Sequence, residues 1–110
     1  MAYNEKLTER VRIALSNVPS VEEKRMFSGI TFMVEGKMCI SVGDNRIMCR
    51  IDPAIHDEVI KRKATSTVLM KGREYKGYVN VQEEGISAKE DFDFWIGLAL
   101  EYNRKLIGSR

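Results

Sequence analysis

Residues 25–53 read RMFSGITFMVEGKMCISVGDNRIMCRIDP: three short apolar runs separated by two tight turns. No other segment limits the fold as strongly. In the first run Ile30, Phe32 and Val34 fall on one side, and Glu35-Gly36 supplies a two-residue turn. The second run places Met38, Ile40 and Val42 together, and Gly43-Asp44-Asn45 makes the next turn. In the third, Ile47, Cys49 and Ile51 share a face. Period-two alternation over consecutive runs joined by turns this short predicts a three-stranded antiparallel meander. The opposite faces are only semi-polar, carrying Thr31, Met33, Cys39, Ser41, Met48 and Arg50. That pattern suits a sheet covered by helices on one face, its second face partly exposed or used by a partner.

The flanks supply the helices. Asn4 can cap a helix in which Leu7, Val11, Ala14, Leu15 and Val18 recur at helical spacing, and Pro19-Ser20 stops it. Residues 21–25 read as a charged connector. Asp52-Pro53 is a helix start, with Pro53 placed where its missing amide costs nothing. Residues 65–70 and 77–81 read as two more strands around a turn at 71–74, forming a second hairpin. Ser87 and Glu90 have capping-box spacing ahead of Phe92, Trp95, Ile96, Ala99, Tyr102 and Leu106, an amphipathic helix that Gly108 follows. The expected order is αβββαββα, an α+β fold in a single domain over residues 1–110.

Composition narrows the function classes. At 110 residues, 44% hydrophobic and 31% charged, the chain suits one globular core. No apolar run approaches the ~20 residues of a membrane span, and the N-terminus lacks a secretory pattern, so a cytoplasmic location is expected. Cys39 and Cys49 do not make a disulfide framework and are expected as free thiols packed in the sheet. With the single His56 they supply neither the number nor the spacing of zinc ligands, and no cofactor is expected. The net charge of +2 does not by itself imply a nucleic-acid partner. Its distribution is uneven: Lys61, Arg62, Lys63, Lys71, Arg73 and Lys76 precede an acidic stretch of Glu83, Glu84, Glu90, Asp91 and Asp93.

Arg25-Met26-Phe27-Ser28-Gly29 ahead of the first sheet run, Gly36-Lys37-Met38, Arg46-Ile47-Met48-Cys49-Arg50 and Lys76-Gly77-Tyr78-Val79 occur in a distinctive order, with Trp95 and Ala99-Leu100 in the last helix. In that order and spacing the chain resembles the TfoX/Sxy N-terminal domain family of bacterial competence regulators. Ser28 stands where the family usually has glycine. The resemblance implies a five-stranded antiparallel sheet packed by helices, similar to secretion-chaperone-like folds. It implies a stand-alone N-terminal domain without the helical C-terminal domain of full-length regulators. It carries over no catalytic residues.

The individual residues point the same way. His56, beside Asp57, reads as an exposed residue in the first turn of a helix rather than a general base. The cysteines lack a positive microenvironment that would make thiolate. The acidic residues are better assigned to helix capping and dipole complementarity. Lys71-Gly72-Arg73 lacks the spacing of a phosphate loop. Met26, Met33, Met38, Met48 and Met70 read first as core filling, and alternatively as an adaptable recognition surface. The expected function is therefore a small non-enzymatic protein-interaction module of regulatory type. Arg25, Phe27 and Gly29 are its candidate contact surface, and a sheet edge or homodimerisation is a further possibility. The alternative is a nucleic-acid-binding accessory protein using Lys61, Arg62, Lys63, Lys71, Arg73 and Lys76.

Overall fold

The meander forms as read, inside a larger sheet. A computed structural model describes residues 4–26 and 29–107; Phe27, Ser28 and Gly108 lie outside the described residues, as do the side chains of Met26 and Met70. The elements are α1 (Glu5–Ala14), β1 (Val21–Met26), β2 (Gly29–Val34), β3 (Lys37–Val42), β4 (Arg46–Arg50), α2 (His56–Val59), β5 (Thr65–Met70), β6 (Arg73–Gln82) and α3 (Lys89–Ile107). Their sheet has six strands in the order β1-β2-β3-β4-β6-β5, with every neighbouring pair antiparallel.

The sixth strand is β1, where the sequence suggested a connector. Its run VEEKRM hides the alternation because four consecutive charges occupy an edge strand with little core to fill. Val21 faces Val34, and Glu23 turns toward α1, where it takes a two-pronged ion pair from Arg12.

A bulge between β2 and β3 corrects one face assignment. Phe32 pairs with Ile40 but Met33 pairs with Met38, so Cys39 is the extra residue. Cys39 joins Ile40 in the main core, while Met38 is turned to the opposite face and packs with Met48 and Val68. One inserted residue inverts everything on its far side, because the side-chain period of a strand is two.

A second, larger irregularity lies in β6. Thr67 pairs with Val79 and Val68 with Tyr75, leaving Lys76, Gly77 and Tyr78 unmatched on β5. Gly77 sits at φ +93°, and a Cβ there would lie 3.1 Å from the Ile51 carbonyl oxygen and 3.2 Å from Pro53 Cγ. Positive φ and a crowded Cβ position together require glycine. Pairing of β6 with β4 begins at Tyr78, so residues 68–76 continue as a two-stranded arm beyond the sheet. The arm closes on Lys71 and Gly72, both at positive φ, the geometry whose twist suits two-residue hairpin turns.

One face of the sheet carries the main core. Leu7 and Val11 of α1, Leu15 at its C-terminal cap, and Phe92, Trp95, Ile96 and Ala99 of α3 pack on Phe32, Ile40, Val42, Ile47, Cys49, Val79 and Val81. Asn4 caps α1 through its Oδ1, which accepts from the Leu7 N–H at 3.0 Å. Asp52 caps the 3-10 turn Pro53–Ile55 ahead of α2, accepting from the Ala54 N–H at 2.9 Å. The Ser87–Glu90 box does not close: among the described residues no hydrogen bond joins the two. The last helix opens on its backbone, Phe92 N–H to Ala88 C=O, with Glu90 and Asp91 complementing its positive end. Arg10 links the helices, donating to the Ile86 carbonyl at 2.6 Å with its guanidinium 4.0 Å from the centre of the Phe92 ring.

Candidate interaction surface

The residues best able to do chemistry are engaged in holding the fold. His56 is not exposed as its position suggested; it is 1% exposed. The bend at Gly77 folds β6 over the first turn of α2, and the Gly77 N–H donates to His56 Nδ1 at 2.8 Å. That bond leaves the ring proton on Nε2, which donates to Thr67 Oγ1 at 2.8 Å. Both nitrogens are thus committed to neighbouring strands. Burial lowers the His56 pKa; Asp57 and Glu74 oppose the shift and Lys76 adds to it. The sequence cue for this is Lys76-Gly77-Tyr78, since the bend within β6 there brings an N–H to the ring.

Cys39 and Cys49 are free and buried, as expected. Burial pushes the Cys39 thiol up to about 12 and raises that of Cys49 further, with Cys39 adding to the latter shift. Both stay protonated near neutrality and are poor nucleophiles. No group of three metal-ligating side chains occurs among the described residues. Among the described residues no helix is long and apolar enough to cross a membrane.

The face of the sheet turned away from α1 and α3 has a different character. Met38, Met48 and Val68 form a second buried cluster, flanked by the partly buried Met33 and Tyr78, and no helical residue belongs to it. Beside it Thr31 and Ser41 face each other across β2 and β3 with a 3.0 Å bond between their hydroxyls. Arg50 lies over the Tyr78 ring at 5.4 Å, and Tyr75 meets Tyr78 edge-on at 6.2 Å. Two buried polar atoms, Arg46 Nη1 and Asn80 Oδ1, have no hydrogen-bond partner among the described residues. Met38 and Met48 are buried, so what this face presents is Met33, Tyr78, Arg46 and Arg50, all half-buried and of types enriched at protein contacts.

The other candidate residues are dispersed. Arg25 is exposed at the end of β1, opposite Ile30. Gly29 is buried, and a Cβ there would stand 2.0 Å from the Val42 carbonyl oxygen, so its place is set by close backbone approach. Phe27 lies outside the described residues. Lys61, Arg62, Lys63, Lys71, Arg73 and Lys76 are all exposed, but they do not converge. The first three precede β5, whereas Lys71 and Arg73 lie at the far end of its hairpin. Arg62 pairs with Asp91 at 3.3 Å and lies 3.8 Å from the centre of the Phe94 ring. Lys76 pairs with Asp57 at 2.8 Å.

A cleft of about 300 Å³ opens between the end of α3 and the loop after α1, lined by Val18, Pro19, Val34, Leu100, Asn103 and Ile107 among others. Asn103, 3% exposed, closes its base by donating to the Val34 carbonyl at 3.2 Å.

Comparison with known proteins gives one result. No curated protein and no solved structure matches the chain. The family model of the TfoX N-terminal domain matches residues 14–102, which take in all six strands and most of α3. On that match, and with the α+β architecture described above, the chain belongs to the TfoX N-terminal domain family.

Proposed function

We propose that this chain is a non-enzymatic regulatory module that works by protein contact through the sheet face opposite its helices. The observation that carries the reading is the half-buried Met33, Tyr78 and Arg50, which stand around the buried Met38, Met48 and Val68 in a cluster to which no helical residue belongs. Its family membership gives it a regulatory context. The commitment of both His56 nitrogens and the burial of both thiols leave the chain's most reactive side chains occupied with structure.

Site-specific photo-crosslinking in cells tests the reading. A benzophenone side chain placed at Met33 or Tyr78 is expected to trap a partner protein, and one at the exposed Ile13 of α1 is not. Crosslinks at Ile13 with none at Met33 or Tyr78 would remove the sheet face from the proposal. Position Arg25, tested in parallel, reports on the entrance turn.

Nucleic-acid binding is the second reading, favoured by Lys61, Lys63, Lys71 and Arg73, which are exposed and have no ion-pair partner among the described residues. Such binding would weaken steeply with salt as counterions are released. Absence of a mobility shift with DNA or RNA at ~50 mM salt counts against it.

A further inference from the structure

The sheet has two edges, and they are built differently. Four of the six residues of β1 are charged, and Glu23 is tied to α1 by Arg12. Charged edges of that kind resist pairing with another chain. The run TSTVLM of β5 contains no charge at all. It is rich in residues that favour strands, and Leu69 on it is 64% exposed. Its hydrogen-bonding partner on one side is β6; on the other, among the described residues, its backbone has none. Unguarded edges of this composition are templates for strand addition.

We propose that the outer edge of β5 docks an extended protein segment as a seventh strand, and that this segment has acidic residues at both ends of an apolar or β-branched centre. The proposal rests on the protein-contact reading above and adds a partner class to it. Charge selects the occupant. Lys61 and Lys63 stand before the strand, Lys71 and Arg73 after it, so both ends of the edge are cationic. A second copy of β5 is a poor occupant in either direction. Antiparallel pairing brings Lys63 of one copy beside Lys71 of the other, and parallel pairing sets each lysine beside its own counterpart; like charges so placed are destabilising. An acid-flanked strand meets opposite charge at both ends, while its backbone continues the ladder.

The test uses the full ¹⁵N-labelled chain and an end-blocked synthetic peptide, Glu-Asp-Val-Thr-Val-Thr-Val-Asp-Glu. Its control has lysines in place of the four acidic residues. With the acidic peptide, alternate amides of β5 are expected to gain protection from solvent exchange, those of β1 not. Affinity for the acidic peptide should exceed that for the control about tenfold, the sum of several modest exposed pairs, and converge with it near 0.5 M salt. The combined change Lys61→Glu, Lys63→Glu, Lys71→Glu and Arg73→Glu, all at exposed positions, should reverse the preference. Equal affinity for both peptides overturns the charge argument. Protection confined to β1, or shifts confined to Met33 and Tyr78, overturns the edge assignment. So does self-association of the peptide-free chain with protected β5 amides, or protection of β5 by DNA and not by peptide. Crosslinks at Met33 without β5 protection defeat this inference alone; β5 protection with no trapped partner in cells defeats the sheet-face reading alone.

Discussion

Replacing His56 gives a direct measure of how the β6 bend is held. Substitution by leucine removes an acceptor from the Gly77 N–H and a donor from Thr67 Oγ1, both 2.8 Å from the ring. Each buried polar group left unpaired costs about 1–3 kcal/mol, so His56→Leu should destabilise by about 2–5 kcal/mol. His56→Asn, whose amide oxygen can still accept from Gly77, should cost about half as much. The effect depends on pH in a defined direction. Burial lowers the folded-state pKa below the ordinary 6.5, so the folded chain holds fewer protons than the unfolded chain in the window beneath that value. The ring's contribution is therefore complete above about pH 6.5 and is lost as pH falls through it, by up to about 1.4 kcal/mol per pH unit until the folded group also titrates. Urea unfolding followed by the fluorescence of Trp95, the single tryptophan and 1% exposed, provides the assay. Between pH 7.5 and 5.5 the gap between the parent chain and His56→Leu should narrow by about 1 kcal/mol, while other titrating groups cancel in the difference. A leucine variant within about 0.5 kcal/mol of the parent, or a gap that does not change with pH, would refute this account of the bend.

Two glycines should respond oppositely to alanine. Gly29→Ala puts a Cβ 2.0 Å from a strand carbonyl that cannot rotate away and should cost about 3 kcal/mol or more, whereas Gly97→Ala, on α3 with nothing within 4 Å, should stabilise by about 0.5–1 kcal/mol; thermal unfolding reads both. Cys39 and Cys49 should react with an aromatic disulfide reagent only as fast as the chain opens, so modification should accelerate with urea in step with unfolding; two fast-reacting thiols in the folded chain would contradict their burial. Thr31→Val or Ser41→Ala alone strands one hydroxyl of a buried pair, and the double change should cost less than the two single costs added, as a double-mutant cycle in urea will show.

Alternation made the meander legible because one side of β2, β3 and β4 fills the core and little else competes with that pattern. The same signal failed at β1, where an edge position relaxes the demand for apolar residues and leaves Glu22, Glu23, Lys24 and Arg25 in a strand. It failed again at Met38, for a different reason. Alternation counted from Val42 backward places Met38 beside Ile40, and only the partner strand's register reveals that Cys39 is inserted. A bulge is a relation between two strands, so a single run cannot announce it. The burial of His56 is hidden from its local sequence on the same grounds. Its burial depends on Gly77, 21 residues away, folding back over α2.

The basic stretch shows how topology decides what a charge cluster can mean. Lys63 and Lys71 are eight positions apart; on a helix they would be separated by about 12 Å and would form one patch with their neighbours. Here β5 lies between them in extended conformation, so the separation is roughly 20–25 Å. Arg62 and Lys76 are already engaged with Asp91 and Asp57, which leaves two exposed cations at each end and an uncharged strand between. A phosphate backbone can neutralise both ends only by running the length of the hairpin, and it offers no peptide groups to the strand between them. An extended polypeptide of about seven residues covers the same distance at 3.3 Å per residue and can place acidic side chains at each end. The arrangement that weakens a concentrated nucleic-acid patch is thus the one that favours an added strand.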